Sequence, residues 1–131
     1  MTNTEKRILL KELCAILPYG VKVNEDIQGD FTLIGLTKER VLTTCEVEGC
    51  HNDFPIELIK PYLFPLHSAP KDFIKKYNEF FENYSDDFNE EDEINFSTEL
   101  IDLFHEYHID YRGLIDMGLA LDATNKNVYK L

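Results

Sequence analysis

The sequence predicts an α+β fold, in which a small antiparallel β-meander of three to four strands packs with about three α-helices. In the first half, short segments of strand-forming residues follow one helical pattern and are separated by polar turns. In the second half, apolar and aromatic residues recur at helical spacing. Connections of a few residues join antiparallel strands, because parallel strands need a long crossover. We expect residues 1–131 to form a single domain.

An amphipathic helix is expected at the beginning of the chain. Thr2 and Glu5 have the spacing of a capping box, in which each side chain accepts a hydrogen bond from the other residue's backbone N–H. The residues that share the apolar face behind it are Leu9, Leu13 and Ile16. Cys14 falls in the same stripe, so we expect it to be a thiol of the core rather than a nucleophile.

Strand formers are concentrated in four short segments after this helix. The segments are Gly20–Val23, Phe31–Leu36, Arg40–Val47 and Asp53–Ile56. In the third segment, alternate side chains point to opposite faces, which is typical of a half-buried strand. The fourth contains Pro55, which is tolerated in an edge strand. These segments predict the meander.

The strongly apolar stretch Ile56–Leu66 is expected to be a buried crossing between the two halves. It contains Pro61 and Pro65, and proline lacks the N–H that a helix interior or a central strand requires. We therefore expect neither a long helix nor a central strand here. The side chains expected in the core are Leu58, Ile59, Leu63 and Phe64.

The second half predicts two helices separated by an acidic connector. The second helix is expected to begin near Pro70, and its apolar face is formed by Phe73, Tyr77, Phe80, Phe81 and Tyr84. The connector is expected at about residues 85–95, which are rich in Asp and Glu. Ser97 is the expected N-cap of the third helix. We expect Leu119–Leu121 to add a strand to the meander.

The charge of the chain is strongly negative and unevenly distributed. The 13 Lys and Arg residues face 25 Asp and Glu residues, which gives a formal net charge of −12. Residues 1–60 contribute −3 and residues 61–131 contribute −9. Such a surface repels phosphate backbones, so direct nucleic-acid binding is disfavoured and a basic protein is the favoured partner.

The composition favours a cytoplasmic protein. No stretch approaches the roughly 20 apolar residues of a membrane helix, and the start of the chain lacks the pattern of a signal peptide. Three cysteines without framework spacing fit reduced thiols better than a disulfide scaffold. We expect no membrane partner and no cofactor.

An acidic interaction surface is the main candidate site. Its residues are Glu79, Glu82, Asp86, Asp87, Glu90, Glu91, Asp92 and Glu93, and neighbouring Glu99 and Asp102 are expected to continue the row. Carboxylates in a row would bind a basic protein, and a protein that imitates nucleic-acid phosphates would need the same arrangement. The alternative is a charged connector that is simply solvated, as most charge runs are.

Cysteine and histidine residues near the third strand are weak candidates for a metal site. Cys45, Cys50 and His51 lie around a predicted turn, and His67 would supply a fourth ligand of the type that zinc prefers. The alternative is that Cys45 is a core residue of the strand, since no second cysteine pair follows at zinc-finger spacing.

His105 and His108 are a second weak candidate for metal binding. They lie three residues apart on a predicted helix, so one helix face would present both imidazoles. The alternative is a structural helix end, where histidine is favourable beside the helix dipole. We expect no bound metal.

No catalytic residue is predicted. Cys50 and His51 are adjacent, and neighbouring side chains in an extended turn rarely point at one another. No phosphate-binding loop, dinucleotide fingerprint or nucleophile elbow is present in the sequence. Enzymatic activity is left open, and a non-enzymatic role is favoured.

Several segments of the chain, in their order and spacing, are similar to a known group of proteins. The segments are Leu17–Val21, Pro55–Leu66, Asp110–Ile115 and Gly118–Leu121, and the most specific part is Lys-Pro-Tyr-Leu-x-Pro-Leu in the second. The chain resembles small uncharacterised proteins encoded by phages and mobile elements of gut Bacteroidales. It departs from them at His67–Pro70, where such proteins often have a Ser-Ser-Met-Thr-like helix start. The resemblance implies a genomic setting, but neither an activity nor catalytic residues.

Three functional hypotheses follow from these observations. The first is a non-enzymatic accessory protein of a phage or mobile element that acts through protein–protein interaction, with an acidic inhibitor or nucleic-acid mimic of a basic host protein as its sharper form. The second is a small metal-binding protein or enzyme that uses the Cys and His residues. The third is a virion or assembly component that self-associates, since the sequence leaves the oligomeric state open.

Overall fold

A computed structural model describes residues 1–45, 49–82 and 90–129, and of residues 90–96 only the backbone. Within these ranges the chain forms three α-helices and a six-stranded mixed sheet. The helices are α1 (Asn3–Ile16), α2 (Lys71–Glu82) and α3 (Glu90–Glu106). The strands are β1 (Lys22–Glu25), β2 (Gly29–Leu36), β3 (Arg40–Thr44), β4 (His51–Pro55), β5 (Ile59–Leu63) and β6 (Leu121–Asp122). The α+β class that the sequence predicts is confirmed.

Helix α1 begins with the predicted capping box and buries the predicted face. Thr2 Oγ1 accepts a hydrogen bond from the Glu5 N–H at 3.1 Å, and Glu5 Oε1 accepts one from the Thr2 N–H at 2.9 Å. Three of the four buried residues were expected, and the complete set is Leu9, Glu12, Leu13 and Ile16. The prediction for Cys14 is wrong, because this side chain is exposed. It lies one residue, about 100° around the helix, beyond Leu13 and so faces solvent.

The sheet has the strand order β4-β3-β2-β1-β5-β6. Neighbouring strands from β4 to β5 are antiparallel, and β5 pairs with β6 in parallel. The predicted meander is therefore present as β1 to β4. The prediction of three to four strands is too small, because the apolar crossing itself supplies β5 and the C-terminal segment supplies β6. The expected strand at Leu119–Leu121 forms instead at Leu121–Asp122, and it is parallel to its neighbour.

The expectation that the crossing holds no central strand is wrong, since β5 lies between β1 and β6. Pro61 is paired with Val23 of β1. The Leu63 carbonyl accepts a hydrogen bond from the Ala123 N–H at 2.8 Å, so Leu63 directs its backbone polar groups towards β6. Pro61, two residues earlier, directs its nitrogen to the same side. Strand β6 pairs only with Tyr62 and Leu63, so the N–H that proline lacks is not needed for the ladder.

The apolar crossing contributes to the core through a different set of residues from the one expected. Ile59 and Leu63 are fully buried, as predicted, and Ile56 joins them. Leu58 is 52% exposed, because it ends a short 3₁₀ turn, Ile56–Leu58, that directs it outward. Phe64 is only partly buried.

Of the two helices in the second half, α2 begins where the sequence predicts and α3 begins several residues earlier than predicted. Helix α2 begins directly after Pro70, as predicted. Helix α3 begins at Glu90 rather than at Ser97, so residues 90–95 are helical and not part of a connector. Carboxylates in a first helical turn are favoured by the helix dipole, which explains the early start. Residues 83–89, which include the rest of the predicted connector, lie outside the described residues. No helix of the described ranges is long and apolar enough to cross a membrane.

Replacing Leu63 with Asp is expected to unfold the domain. Leu63 is fully buried in an interior strand, where an unpaired carboxylate costs at least about 4 kcal/mol, and small domains have only about 5–15 kcal/mol of stability. Leu58→Asp is the matched control in the same segment, and a change within about 0.5 kcal/mol is expected there because Leu58 is half-exposed. Circular dichroism with chemical denaturation measures both. An L63D protein as stable as the L58D control would contradict this assignment of the core.

Candidate functional site

Helices α2 and α3 are joined by aromatic contacts. The Phe73 ring lies 5.9 Å from the ring of Phe104 and 5.8 Å from that of Tyr107. Tyr77 contacts Phe73 on its own helix at 5.6 Å. These are distances at which aromatic pairs attract one another beyond their burial of apolar area. We call these contacts among Phe73, Tyr77, Phe104 and Tyr107 the aromatic seam. The seam fixes the two helices side by side and so determines which of their polar residues lie close together.

Above the seam lies a shallow groove of about 460 Å³. We call it the acidic groove, and its residues are Lys76, Glu79, Phe80, Glu99, Asp102, Leu103 and Glu106. Four acidic residues from two helices and one basic residue, Lys76, thus line the same groove. The Lys76 ammonium lies 3.7 Å from the Glu106 carboxylate and 5.2 Å from the centre of the Tyr107 ring. The lining has a net charge of −3, given by four acidic residues and one basic residue.

The predicted acidic surface is only partly within the described structure. Glu79 lies in the acidic groove, and Glu82 is exposed on α2 but does not line the groove. Asp86 and Asp87 lie outside the described residues. The remaining predicted residues, Glu90, Glu91, Asp92 and Glu93, occupy the first turn of α3, and their side chains are also outside the described part. The groove also contains Glu99 and Asp102, the expected neighbours of this surface, and adds the carboxylate of Glu106, which the sequence does not predict.

A second and larger cavity, of about 670 Å³, lies at the carboxyl end of α3. We call it the aromatic cleft. It is lined by Tyr19, Gly20, Lys22, Phe64, Asp72, Glu106, Tyr107, His108, Val128 and Tyr129. Its walls therefore come from the segment after α1, from the end of β5, from both α2 and α3, and from the C-terminal segment. Glu106 lines both the aromatic cleft and the acidic groove, so the two cavities adjoin.

His108 forms part of the cleft wall and is held by three constraints. Its ring stacks on Tyr129 with centroids 4.1 Å apart and planes 11° apart. Its Nε2 lies 2.9 Å from the Tyr19 carbonyl oxygen, which can only accept, so Nε2 carries the proton. Its backbone adopts a left-handed conformation with φ of 57°. Burial lowers the pKa of His108, so the imidazole is neutral at pH 7.

The Tyr129 hydroxyl bridges two strands where their ladder ends. It accepts a hydrogen bond from the Lys22 N–H at 2.9 Å and donates one to the Tyr62 carbonyl at 2.8 Å. The last paired residues of β1 and β5 are Val23 and Pro61, so the phenol satisfies the next backbone groups on both strands. Burial raises the pKa of this phenol, which remains neutral at pH 7. Its role is structural rather than nucleophilic.

A buried ion pair joins α1 to the segment that follows α3. Glu12 is 1% exposed, and Arg112 Nε donates a hydrogen bond to its Oε2 at 2.5 Å. Burial raises the pKa of the Glu12 carboxyl, and Arg112 opposes this shift. The Arg112 guanidinium also lies over the Tyr111 ring, 5.1 Å from its centre, and the Tyr111 hydroxyl lies 2.8 Å from His105 Nε2. The cluster ties two distant parts of the chain together.

His105 in α3 and His108, two residues after its end, do not share a metal site. His105 contacts Tyr111, whereas His108 contacts Tyr19 and Tyr129. Burial is also the main reason why the pKa of His105 is lowered, so both imidazoles are buried neutral groups of the core. These contacts indicate a structural role for both rings, but not through the helix dipole, which would favour a charged imidazole.

The remaining metal candidates are not brought together either. Cys50, His51 and His67 are exposed, and Cys45 is partly buried beyond the end of β3. Within the described ranges, no group of three or more His, Cys, Asp or Glu residues is arranged to hold a metal ion. The described residues thus offer no metal centre.

The sequence predictions lack two features of the site, the buried carboxylate of Glu12 and the bridging hydroxyl of Tyr129. Glu12 lies three residues after Leu9, at a spacing that belongs to the buried face, so its position was a readable signal of a buried, paired carboxylate. Tyr129 carries no such signal. It contacts Lys22 over 107 residues of sequence, and only the folded topology brings them together.

Comparison with known proteins finds no matching family model, no matching curated protein and no matching solved structure.

The two buried histidines predict a loss of stability in acid. Both have pKa values below the ordinary 6.5, so their contribution is present above pH 6.5 and is lost as pH falls through the folded-state pKa. Each histidine adds a slope of up to about 1.4 kcal/mol per pH unit. The free energy of unfolding, measured by denaturant titration across this range, is expected to fall with pH in the wild type.

Substitution assigns that slope to its source. His108→Asn is expected to reduce it, because Asn does not titrate and tolerates the left-handed backbone. The control variant His51→Gln/His67→Gln removes two exposed histidines and should keep the wild-type slope. Equal slopes in the wild type, in His108→Asn and in His105→Gln would show that the buried histidines do not cause the acid sensitivity.

Proposed function

We propose that this protein is a non-enzymatic interaction protein whose acidic groove binds a basic protein. The observation that carries the proposal is the convergence of four carboxylates from two helices on one groove: Glu79, Glu99, Asp102 and Glu106. A charge run that is merely solvated has no reason to line a concave surface together with apolar side chains. Here Phe80 and Leu103 line the groove together with the carboxylates, as apolar residues do within protein interfaces.

The long-range field of the chain supports the same partner. A net charge of −12 attracts basic proteins and repels nucleic acid, and a concave acidic surface concentrates that field. Complementary charge raises the rate of association and excludes partners of the same sign. The proposal therefore specifies a basic protein, in the cytoplasm, with an affinity that depends on salt.

The sharper form of the proposal is that the groove imitates nucleic-acid phosphates and so inhibits a basic nucleic-acid-binding protein. Carboxylates on adjacent turns of α3 present negative charges in a row, which is the feature that such a partner reads in a phosphate backbone. A phage or mobile-element accessory role rests on the resemblance of the segments described above and fits this form. Neither a metal-dependent nor an assembly role is favoured by a comparable observation.

Charge reversal in the groove is expected to abolish binding of the partner. The test variant is Glu79→Lys/Asp102→Lys, and the matched control is Asp26→Lys/Asp116→Lys, which reverses two exposed carboxylates away from the groove. Each variant replaces two negative side chains with positive ones, so the net charge changes from −12 to −8 in both. Affinity capture from cell lysate, with mass spectrometry at low and high salt, compares them with the wild type. We expect basic proteins to be captured by the wild type and control, and lost in the groove variant and at high salt.

Two results would count against the proposal. Equal capture by all three proteins would show that net charge, and not the groove, attracts the partner. Capture that resists high salt in the groove variant would show that binding is not electrostatic.

Nucleic acid is expected to compete with this protein for the captured partner. If the groove imitates phosphates, both ligands use the same basic surface, so duplex DNA should displace the partner from the immobilised protein in proportion to its concentration. Fluorescence anisotropy of labelled DNA with the purified partner measures the reverse competition. A ternary complex of DNA, partner and this protein would disprove mimicry while leaving the interaction itself intact.

A further inference from the structure

The aromatic cleft differs from the acidic groove in its volume and in the side chains that line it. Its volume of about 670 Å³ falls within the range of small-ligand sites, about 300–1,000 Å³. Five of its ten lining residues are aromatic, with His108 included, and the lining includes two acidic residues, Asp72 and Glu106, and one basic residue, Lys22, which gives it a net charge of −1. Aromatic faces and carboxylates together are the groups that bind organic cations.

We propose that the aromatic cleft binds one arginine side chain of the basic partner, with the guanidinium against the tyrosine faces and the two carboxylates. The proposal rests on the proposed function and names the group that the partner inserts. Arginine fits better than lysine, because a planar guanidinium stacks on aromatic rings and donates paired hydrogen bonds to carboxylates.

The protein already holds two of its own cations in the same way. Arg112 lies over the Tyr111 ring at 5.1 Å and donates to the carboxylate of Glu12. Lys76 lies over the Tyr107 ring at 5.2 Å and 3.7 Å from the carboxylate of Glu106. In each case a tyrosine face and a carboxylate bind one cation, and the cleft presents the same combination of groups to a ligand.

The groups needed for a ligand are accessible in the cleft. Tyr19 is 37% exposed, and Asp72 is exposed in the first turn of α2. The Lys22 ammonium donates to Thr32 Oγ1 at 2.5 Å, which gives it a partner on β2. His108 adds no positive charge, because its imidazole is buried and donates to a carbonyl.

The cleft also has the right relation to the acidic groove. Glu106 lines both cavities, so an arginine seated in the cleft places the neighbouring residues of its chain at the groove. The Lys76–Glu106 pair is half-exposed on both sides, and such surface pairs are weak enough for a guanidinium to compete with them. The cleft would supply a specific anchor, and the groove would supply the salt-dependent attraction.

The test uses N-acetyl-arginine amide as the probe and N-acetyl-citrulline amide as its neutral isostere. The labelled 131-residue protein is titrated with each probe and followed by NMR of the Tyr and His ring resonances. The arginine probe is expected to shift the resonances of Tyr19, Tyr107 and His108. The citrulline probe should bind at least about threefold more weakly, since the charge contributes through the rings and carboxylates. Equal binding of the two probes, or no shift with the arginine probe at millimolar concentration, would overturn the proposal.

Variants separate the cleft from the groove. Asp72→Asn and Tyr19→Leu are each expected to weaken binding of the arginine probe about threefold, and Tyr19→Leu keeps the backbone carbonyl that accepts from His108. The control Asp102→Asn, which lies in the groove only, should bind the probe as the wild type does. Wild-type affinity in both cleft variants would overturn the assignment.

The outcome for the cleft is distinguishable from the outcome for the proposed function. If groove reversal abolishes capture of the partner while the arginine probe causes no shift, the cleft proposal fails and the interaction stands. If the probe binds through Asp72 and Tyr19 while groove reversal leaves capture unchanged, the arginine site stands and the proposed function fails.

Discussion

Strand β5 is the constraint on which the rest of the structure depends. It pairs with β1 on one side and, through Leu63, with the C-terminal segment on the other. The next residue, Phe64, donates its N–H to the His108 carbonyl and accepts from the Asp110 N–H, both at 2.8 Å. The end of α3 is thereby fixed to the end of an interior strand. This attachment determines where Glu106, Tyr107 and His108 lie, and hence where both cavities form.

The region around that attachment is closed by polar groups that satisfy each other. Asp110 accepts hydrogen bonds from the N–H groups of Leu114 and Ile115 at 2.8 and 2.9 Å, so the turn after α3 has a definite shape. The Tyr129 phenol and the His108 imidazole each complete the hydrogen bonding of backbone groups from distant segments. Paired buried polar groups favour one arrangement over its alternatives, because a misplacement would leave a donor or acceptor unsatisfied. Of the residues that line the aromatic cleft, His108 and Tyr129 are held in this way.

Local patterns were sufficient for the elements whose signals are local. The capping box at Thr2, the apolar face of α1 and the four meander strands follow from spacing and turn residues within a few positions. The prediction for Pro61 was wrong because the rule against central proline assumes that both edges of the strand are paired along its whole length. Here β6 is only two residues long and does not reach Pro61, which the local sequence of β5 does not reveal. The start of α3 was missed because acidic residues were interpreted as a sign of a loop rather than as favourable groups of a first helical turn.

The sequence predicts the sign of the charge at the candidate site, but not which side chains come together there. Counting residues predicts that most of the negative charge lies in the second half, but which carboxylates line one groove depends on how α2 packs against α3 through Phe73 and Phe104. Like charges on adjacent helices raise the energy of the folded state, and the groove is lined by four acidic residues and one basic residue. The protein shows elsewhere how a carboxylate serves the fold, since Glu12 is buried and bound to Arg112. Glu79 and Asp102 are exposed, so burial in the core does not explain their arrangement, whereas the proposed binding of a cationic partner does.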